Sequence, residues 1–302
     1  MSAHTFDHYE PVGYYQRGSI EDRPSKMLGT HMYVSDPPPP PEKCTAREGR
    51  VQRFTPGYAG WPVGELQYFP MRWHAEPLRL LMHHAGQAYT LKTIAFAEWP
   101  AIAVSELIPG GTLPAFTPDG GACIGEALEI AKYLAKVSGV PGLLPTAAAA
   151  AASAEKLFAM SAAAPFSQTG KLLNEVSAQE AAAQAPAHVK DAIAALKAAE
   201  PALRAGGGPF CGGKAPHYGD FGLWAAVDAL KALDPRVVKQ LGGAWAAWYA
   251  AVADLDGVKS YLACRTEAGT GKVGKSGSLI ATKAVDAKPA KALKNFQTEY
   301  KL

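Results

Sequence analysis

Leu66-Gln67-Tyr68-Phe69-Pro70-Met71-Arg72-Trp73-His74-Ala75-Glu76-Pro77-Leu78-Arg79 is the stretch on which the fold turns. Glu65 to Phe69 alternates apolar and polar side chains, the period of a half-buried strand. From Glu76 to His84 the apolar residues Pro77, Leu78, Leu81 and Met82 fall at helical spacing, with Pro77 tolerated only in a first turn. Gly86 is placed to end that helix. Tyr89 to Ile94 reads as a second strand. Ala115-Phe116-Thr117 and Ala122-Cys123-Ile124 flank Asp119-Gly120-Gly121, a hairpin signal. Ala127 to Val137 is helical, with Leu128, Ala131 and Leu134 on one face. The order β-α-β, then β-β-α, describes a small mixed α/β domain over residues 64–137.

Around this domain the texture changes. Residues 138–150, with Gly139, Pro141, Gly142 and Pro145, read as a linker. Every periodic segment of 151–265 is helical, which defines a second, all-helical domain. Residues 1–63 show no helical or strand period and contain Pro37 to Pro41, so they read as a proline-rich extended arm. The arm also carries Phe6, Tyr9, Tyr14, Tyr15, Phe54, Tyr58 and Trp61, more large apolar groups than a solvated linker holds. Residues 266–302 are rich in Gly, Lys, Ala and Thr and form a basic tail.

Composition narrows the function classes. The chain has 302 residues, 48% of them hydrophobic and 19% charged, enough to bury a sizeable core. The formal net charge of +3 is too small to argue for nucleic acid by itself. It is also uneven. Residues 1–63 hold seven basic and seven acidic side chains, residues 64–265 hold 16 and 17, and residues 266–302 hold seven and three. The positive charge therefore belongs to the tail, which suits an acidic surface as partner. No apolar run of membrane-spanning length is present, and no secretory or transit leader is expected. Cys44, Cys123, Cys211 and Cys264 lie far apart, against a disulfide scaffold or cysteine zinc site and in favour of a reducing, cytoplasmic setting.

Gly269 to Ser276 fits the phosphate-loop pattern, but the segment before it, Val258 to Arg265, reads as a helix rather than the required strand. Adjacent His83 and His84 do not share a helix face, so no metal site is assigned. Asp220 reads as a helix cap and Cys123 as a buried small hydrophobe on a strand.

Leu66 to Arg79, together with Leu113-Pro114, Glu126-Ala127 and Ile130-Ala131-Lys132-Tyr133-Leu134-Ala135, resembles the glutathione transferase family, closest to its sigma-like, tyrosine-type branch. Tyr218-Gly219-Asp220-Phe221 and Val258-Lys259-Ser260-Tyr261-Leu262 resemble the family's helical half. The resemblance implies a thioredoxin-like N-terminal domain followed by an all-α domain, glutathione as co-substrate, and a homodimer. It implies that Tyr68 activates the glutathione thiol by donating a hydrogen bond to the thiolate. It also implies that Trp99 contacts the glycyl end, that the Leu113 backbone pairs with the cysteinyl peptide before a cis Pro114, and that Glu126 accepts from the γ-glutamyl amine.

Three positions depart from the pattern. Ala127 stands where a serine binds the γ-glutamyl carboxylate, Ala103 where a lysine is expected, and Thr112 where a glutamine is expected. Arg72 or His74 is placed to compensate. Two functions follow. One is an active transferase that conjugates or isomerises a small electrophile. The other, slightly favoured by the eroded site, is a structural subunit retained for its shape and attached through 1–63 and 266–302 to a cytoskeletal or other large assembly.

Overall fold

The computed structural model describes residues 51–54, 63–69, 72–105, 107–174 and 178–265. Four strands form one sheet: β1 (Val51–Phe54), β2 (Gly64–Tyr68), β3 (Tyr89–Thr93) and β4 (Ala115–Pro118), in the order β1-β3-β2-β4. β2 and β3 are parallel and joined by α1 (Glu76–His84); β1 and β4 run antiparallel to their neighbours. α2 (Trp99–Ala103) follows β3, and α3 (Ala127–Ser138) follows β4.

The sequence pattern assigns no strand before Glu65, yet Val51–Phe54 pairs with β3 from Val51↔Lys92 to Phe54↔Tyr89. Four residues at a sheet edge make a ladder on one side only, too little to impose a readable period. The hairpin after β4 is also shorter than expected. Only Ile124 returns to the sheet, exchanging two backbone hydrogen bonds with Phe116 at 2.7 and 2.9 Å. Cys123 is consequently in no strand and is half-buried rather than buried.

The pleat sorts side chains onto two faces. Leu66 and its partner Phe116 point to one face, where α1 and α3 supply Leu78, Leu81, Ile130 and Leu134. Ala115, paired with Gln67, points to the other, where Ile94 and Ile108 form a small second cluster with Trp99 and Leu113 against it.

The remaining described chain is helical: α4 (Ala148–Ala159), α5 (Phe166–Asn174), α6 (Ala178–Ala198), α7 (Glu200–Ala205), α8 (Tyr218–Leu233), α9 (Val237–Leu241), α10 (Gly243–Ala253) and α11 (Asp256–Arg265). α8 is the axis of this half. Almost its whole circumference is buried, from Tyr218 through Leu230. Gly219 and Gly222 let it lie directly on α4, because a Cβ at either would collide with the backbone of Ala154 or Phe158. Asp220 is fully buried and holds three donors: the backbone N–H of His217 at 3.0 Å, that of Cys211 at 2.9 Å, and Trp248 Nε1 at 2.8 Å. This is the structural cap that the sequence indicates, extended by a tryptophan.

The two halves share one core. One buried polar tie joins the first helix to the last: Tyr261 Oη donates to Glu76 Oε2 at 2.7 Å. Lys132 on α3 pairs with Glu155 on α4 at 2.7 Å.

Candidate active site

The site is built at the end of the sheet where β2 finishes and β4 begins. Tyr68 is the last residue of β2. One step past the final registered pair Gln67↔Ala115 lies Pro114, and the Leu113–Pro114 peptide is cis. Leu113 precedes β4, so its peptide groups have no partner in the β2–β4 ladder. Backbone donors and acceptors at the open end of a strand suit an extended peptide ligand.

Glu126 enters the same end from the other direction. It is the N-cap of α3 with φ 63°, in the left-handed region that non-glycine residues seldom occupy. No side chain caps the helix, so its first amides are not closed off by a side-chain acceptor of its own N-cap. The Glu126 carboxylate is exposed and accepts from Thr112 Oγ1 at 3.4 Å. Together these features present amides and one carboxylate to a zwitterionic group.

Trp99 opens α2 on the far side of the strand ends. It meets Phe69 edge-on with ring centroids 5.6 Å apart, and Phe69 stacks on Phe96 at 4.8 Å. Tyr68, Leu113, Pro114, Glu126 and Trp99 thus gather around one end of the sheet. Arg72 does not join them. Its guanidinium pairs with Asp228 of α8 at 3.8 Å, and its carbonyl accepts from Arg79 at 3.3 Å.

The Tyr68 hydroxyl lies among these residues as the candidate reactive group. It accepts a hydrogen bond from the His74 backbone N–H at 3.2 Å. The ring is 2% exposed, and this burial pushes its pKa well above the ordinary tyrosine value, against smaller opposing effects of the His74 N–H and the Arg79 charge. At neutral pH the group keeps its proton.

Two neighbours were not singled out from sequence as site residues. Asp228 fixes Arg72 while also accepting from Tyr249 Oη at 2.8 Å. Trp73, with φ 25°, lies in the turn between Tyr68 and α1. Nothing in the sequence signals either: Asp228 is one acidic residue on a long helix, and a tryptophan at positive φ runs against backbone preference. Among the described residues no group of three or more His, Cys, Asp and Glu is placed to hold a metal ion. Nor is any described helix long and apolar enough to cross a membrane.

A small α/β domain followed by an all-helical domain is the architecture that known glutathione transferases share with this chain. The family model for the glutathione S-transferase C-terminal domain matches residues 166–265. A probable glutathione S-transferase 6 of Caenorhabditis elegans is 39% identical over 85 residues, 28% of this chain and 40% of the relative. The hematopoietic prostaglandin D synthase of Gallus gallus is 39% identical over 84 residues, 28% of this chain and 41% of the relative. The aligned stretch therefore spans about two-fifths of either relative.

Among solved structures, the Pi-class glutathione S-transferase of Onchocerca volvulus superposes with a TM-score of 0.57 at 20% identity, over 68% of this chain and 94% of that one. The glutathione S-transferase of Ascaris lumbricoides gives 0.55 at 21%, over 67% and 97%. The chain thus shares the fold of these glutathione S-transferases, and its residues 166–265 match their C-terminal domain family.

Proposed function

We propose that this protein binds glutathione at the sheet end and uses Tyr68 to activate its thiol toward a small electrophile, as a sigma-like, tyrosine-type transferase. The observation that carries the reading is the Tyr68 hydroxyl, protonated and held by His74 beside the cis Leu113–Pro114 peptide.

The residues present fit the tripeptide in three respects. Leu113 offers unladdered peptide groups to its cysteinyl unit. Glu126 offers a carboxylate to its ammonium, and the α3 amides suit its γ-glutamyl carboxylate. Trp99 offers an aromatic edge to its glycyl end. The fit is thinner at Ala127, Ala103 and Thr112, where a hydroxyl, an ammonium and an amide are replaced. A hydrogen bond to a charged group contributes about 1.5–3 kcal/mol, so affinity below that of a complete site is expected.

Glutathione supplies a thiol that, as thiolate, attacks an electrophilic carbon. Tyr68 donates its proton as a hydrogen bond to the sulfur and stabilises the ionised form without giving the proton up. The His74 amide holds the phenol oxygen in place, which limits the reorganisation needed when charge develops.

Calorimetric titration with glutathione tests this. Binding with a Kd of millimolar or tighter is expected, and absence of heat at about 10 mM overturns it.

A second reading is supported by Ala127 and by the commitment of Arg72 to Asp228: a subunit kept for its shape. Of the segments 1–63 and 266–302 invoked for assembly, residues 1–50, 55–62 and 266–302, with the Gly269–Ser276 pattern, lie outside the described residues. The same titration separates the readings, since the shape-only reading requires no glutathione binding.

A further inference from the structure

We propose that Asp228, on α8 of the helical half, is a positioning residue for thiol activation: it holds the turn whose His74 amide orients the Tyr68 hydroxyl. This rests on the proposed role of Tyr68.

Three observations carry it. First, the turn is pinned at Arg72. Its guanidinium Nη1 lies 3.8 Å from Asp228 Oδ2. Its carbonyl accepts from the Ala75 N–H at 3.1 Å and from Arg79 Nη1 at 3.3 Å. The turn closed in this way contains His74, whose N–H donates to Tyr68 Oη at 3.2 Å. Second, the pinning pair is largely withdrawn from water. The Arg72 and Asp228 side chains are 11% and 16% exposed, so their attraction is screened less than that of a surface pair. Third, Asp228 is itself aimed. Its Oδ1 accepts from Tyr249 Oη at 2.8 Å. The Tyr249 ring stacks on Trp224 with centroids 4.9 Å apart, and Lys231 Nζ sits 5.1 Å from the ring centroid. Trp224 Nε1 donates to the Tyr249 carbonyl at 3.0 Å. These contacts fix Tyr249, Tyr249 fixes one carboxylate oxygen, and the other is turned to Arg72.

A carboxylate serving only to join α8 to α10 needs no more than Tyr249. This one also reaches across to the α/β half and meets the turn beside the reactive hydroxyl. A donor stabilises developing charge best when it is already in place. Tilting the turn therefore weakens Tyr68 without touching Leu113, Glu126 or Trp99. Removing the Asp228 charge has two opposed effects on a bound thiol. Uncovering Arg72 favours the thiolate and lowers the pH at which the thiol ionises. Loosening the turn withdraws the Tyr68 hydrogen bond and raises that pH. The positioning role requires the second effect to prevail.

The test uses the full chain as wild type, Asp228→Asn, Tyr249→Phe and the two combined. Asp228→Asn keeps an acceptor for Tyr249 and removes the charge that holds Arg72. Hydrogen exchange of the His74 amide, followed by NMR, reads the turn with no ligand present. Exchange at His74 is expected to be at least about tenfold faster in Asp228→Asn, with the α8 amides unchanged. Equal His74 rates in wild type and variant, or a rise shared by every α8 amide, overturns the positioning role. Tyr249→Phe is expected to give a smaller rise, and the double variant less than the sum of the two. If Asp228→Asn fails to fold by circular dichroism, Tyr249→Phe carries the same comparison. Ultraviolet absorbance of the glutathione thiolate on the protein, followed across pH, reads the chemistry. The ionisation midpoint is expected to rise by about one pH unit in Asp228→Asn, with glutathione affinity within about threefold of wild type. An unchanged or lowered midpoint overturns the proposal. Absence of bound thiolate in wild type, with His74 exchange still faster in Asp228→Asn, overturns the Tyr68 reading and leaves the hold of Asp228 on the turn standing.

Discussion

Tyr261 Oη, in the last described helix, donates to the Glu76 carboxylate at the start of α1, 185 residues earlier, at 2.7 Å. Arg79 lies against the same carboxylate at 3.7 Å, and all three side chains are buried. Removing the phenol oxygen takes a 2.7 Å donor from the buried Glu76 carboxylate. Tyr261→Phe is expected to cost about 1.5–3 kcal/mol, read as a lower urea midpoint with an unchanged slope.

Asp220 makes a stronger demand. Its two carboxylate oxygens accept from His217, Cys211 and Trp248 with no exposure to solvent. Asp220→Ala orphans three buried donors at once, and about 3–5 kcal/mol or more is expected to be lost. Asp220→Asn keeps the shape but offers one donor where an acceptor stood, and an intermediate loss is expected. Thermal unfolding of both variants checks the order.

Acid stability follows from two histidines. Burial pushes His74 down to about 4, and burial aided by the Arg79 charge pushes His83 down to about 3. His83 lies between Tyr89 and Tyr261, with Arg79 and Glu76 beside it on α1. In the unfolded chain both imidazoles titrate near 6.5, so between about pH 6.5 and 4 the unfolded state binds more protons. Stability is therefore expected to be flat above about pH 7 and to fall by a few kcal/mol on the way down to pH 4. Replacing His83 with Gln removes one titrating group, and the denaturation midpoints of that variant are expected to fall less steeply over this window.

At the candidate site, Tyr68→Phe removes one donor from the thiolate and changes little else. Glutathione affinity is expected to stay within about threefold while the turnover rate falls about 10²-fold, measured by calorimetry and by steady-state kinetics.

Ala127→Ser runs in the opposite direction. A hydroxyl at the first residue of α3 would return the side-chain contact that this site lacks. Glutathione affinity is expected to tighten about tenfold, with turnover at saturation unchanged.

How far the sequence spoke depended on the kind of signal. The α1 helix, β2 and β3 are written as periodicity and capping, and their observed bounds differ from the sequence pattern by at most a residue. The position of Tyr68 beside Leu113–Pro114 follows from motif order once the family is in view. Arg72 shows the limit. Its place in the motif suggests the ligand, but its partner Asp228 is 156 residues away, and only packing brings the two together. Trp73 is harder still, because its backbone conformation opposes local preference and is held by contacts with His74 and α5.

The pairing of β1 with β3 has a practical consequence for anyone trimming this protein. Deleting residues 1–63 to probe an assembly role would strip Val51–Phe54 from β3 and bare a run of unsatisfied main-chain groups, a template for sticking to other chains. Aggregation of such a fragment would then report a wounded sheet, not a lost partner. A deletion ending at residue 50 keeps the sheet whole, so only that cut lets a change in association be attributed to the removed segment.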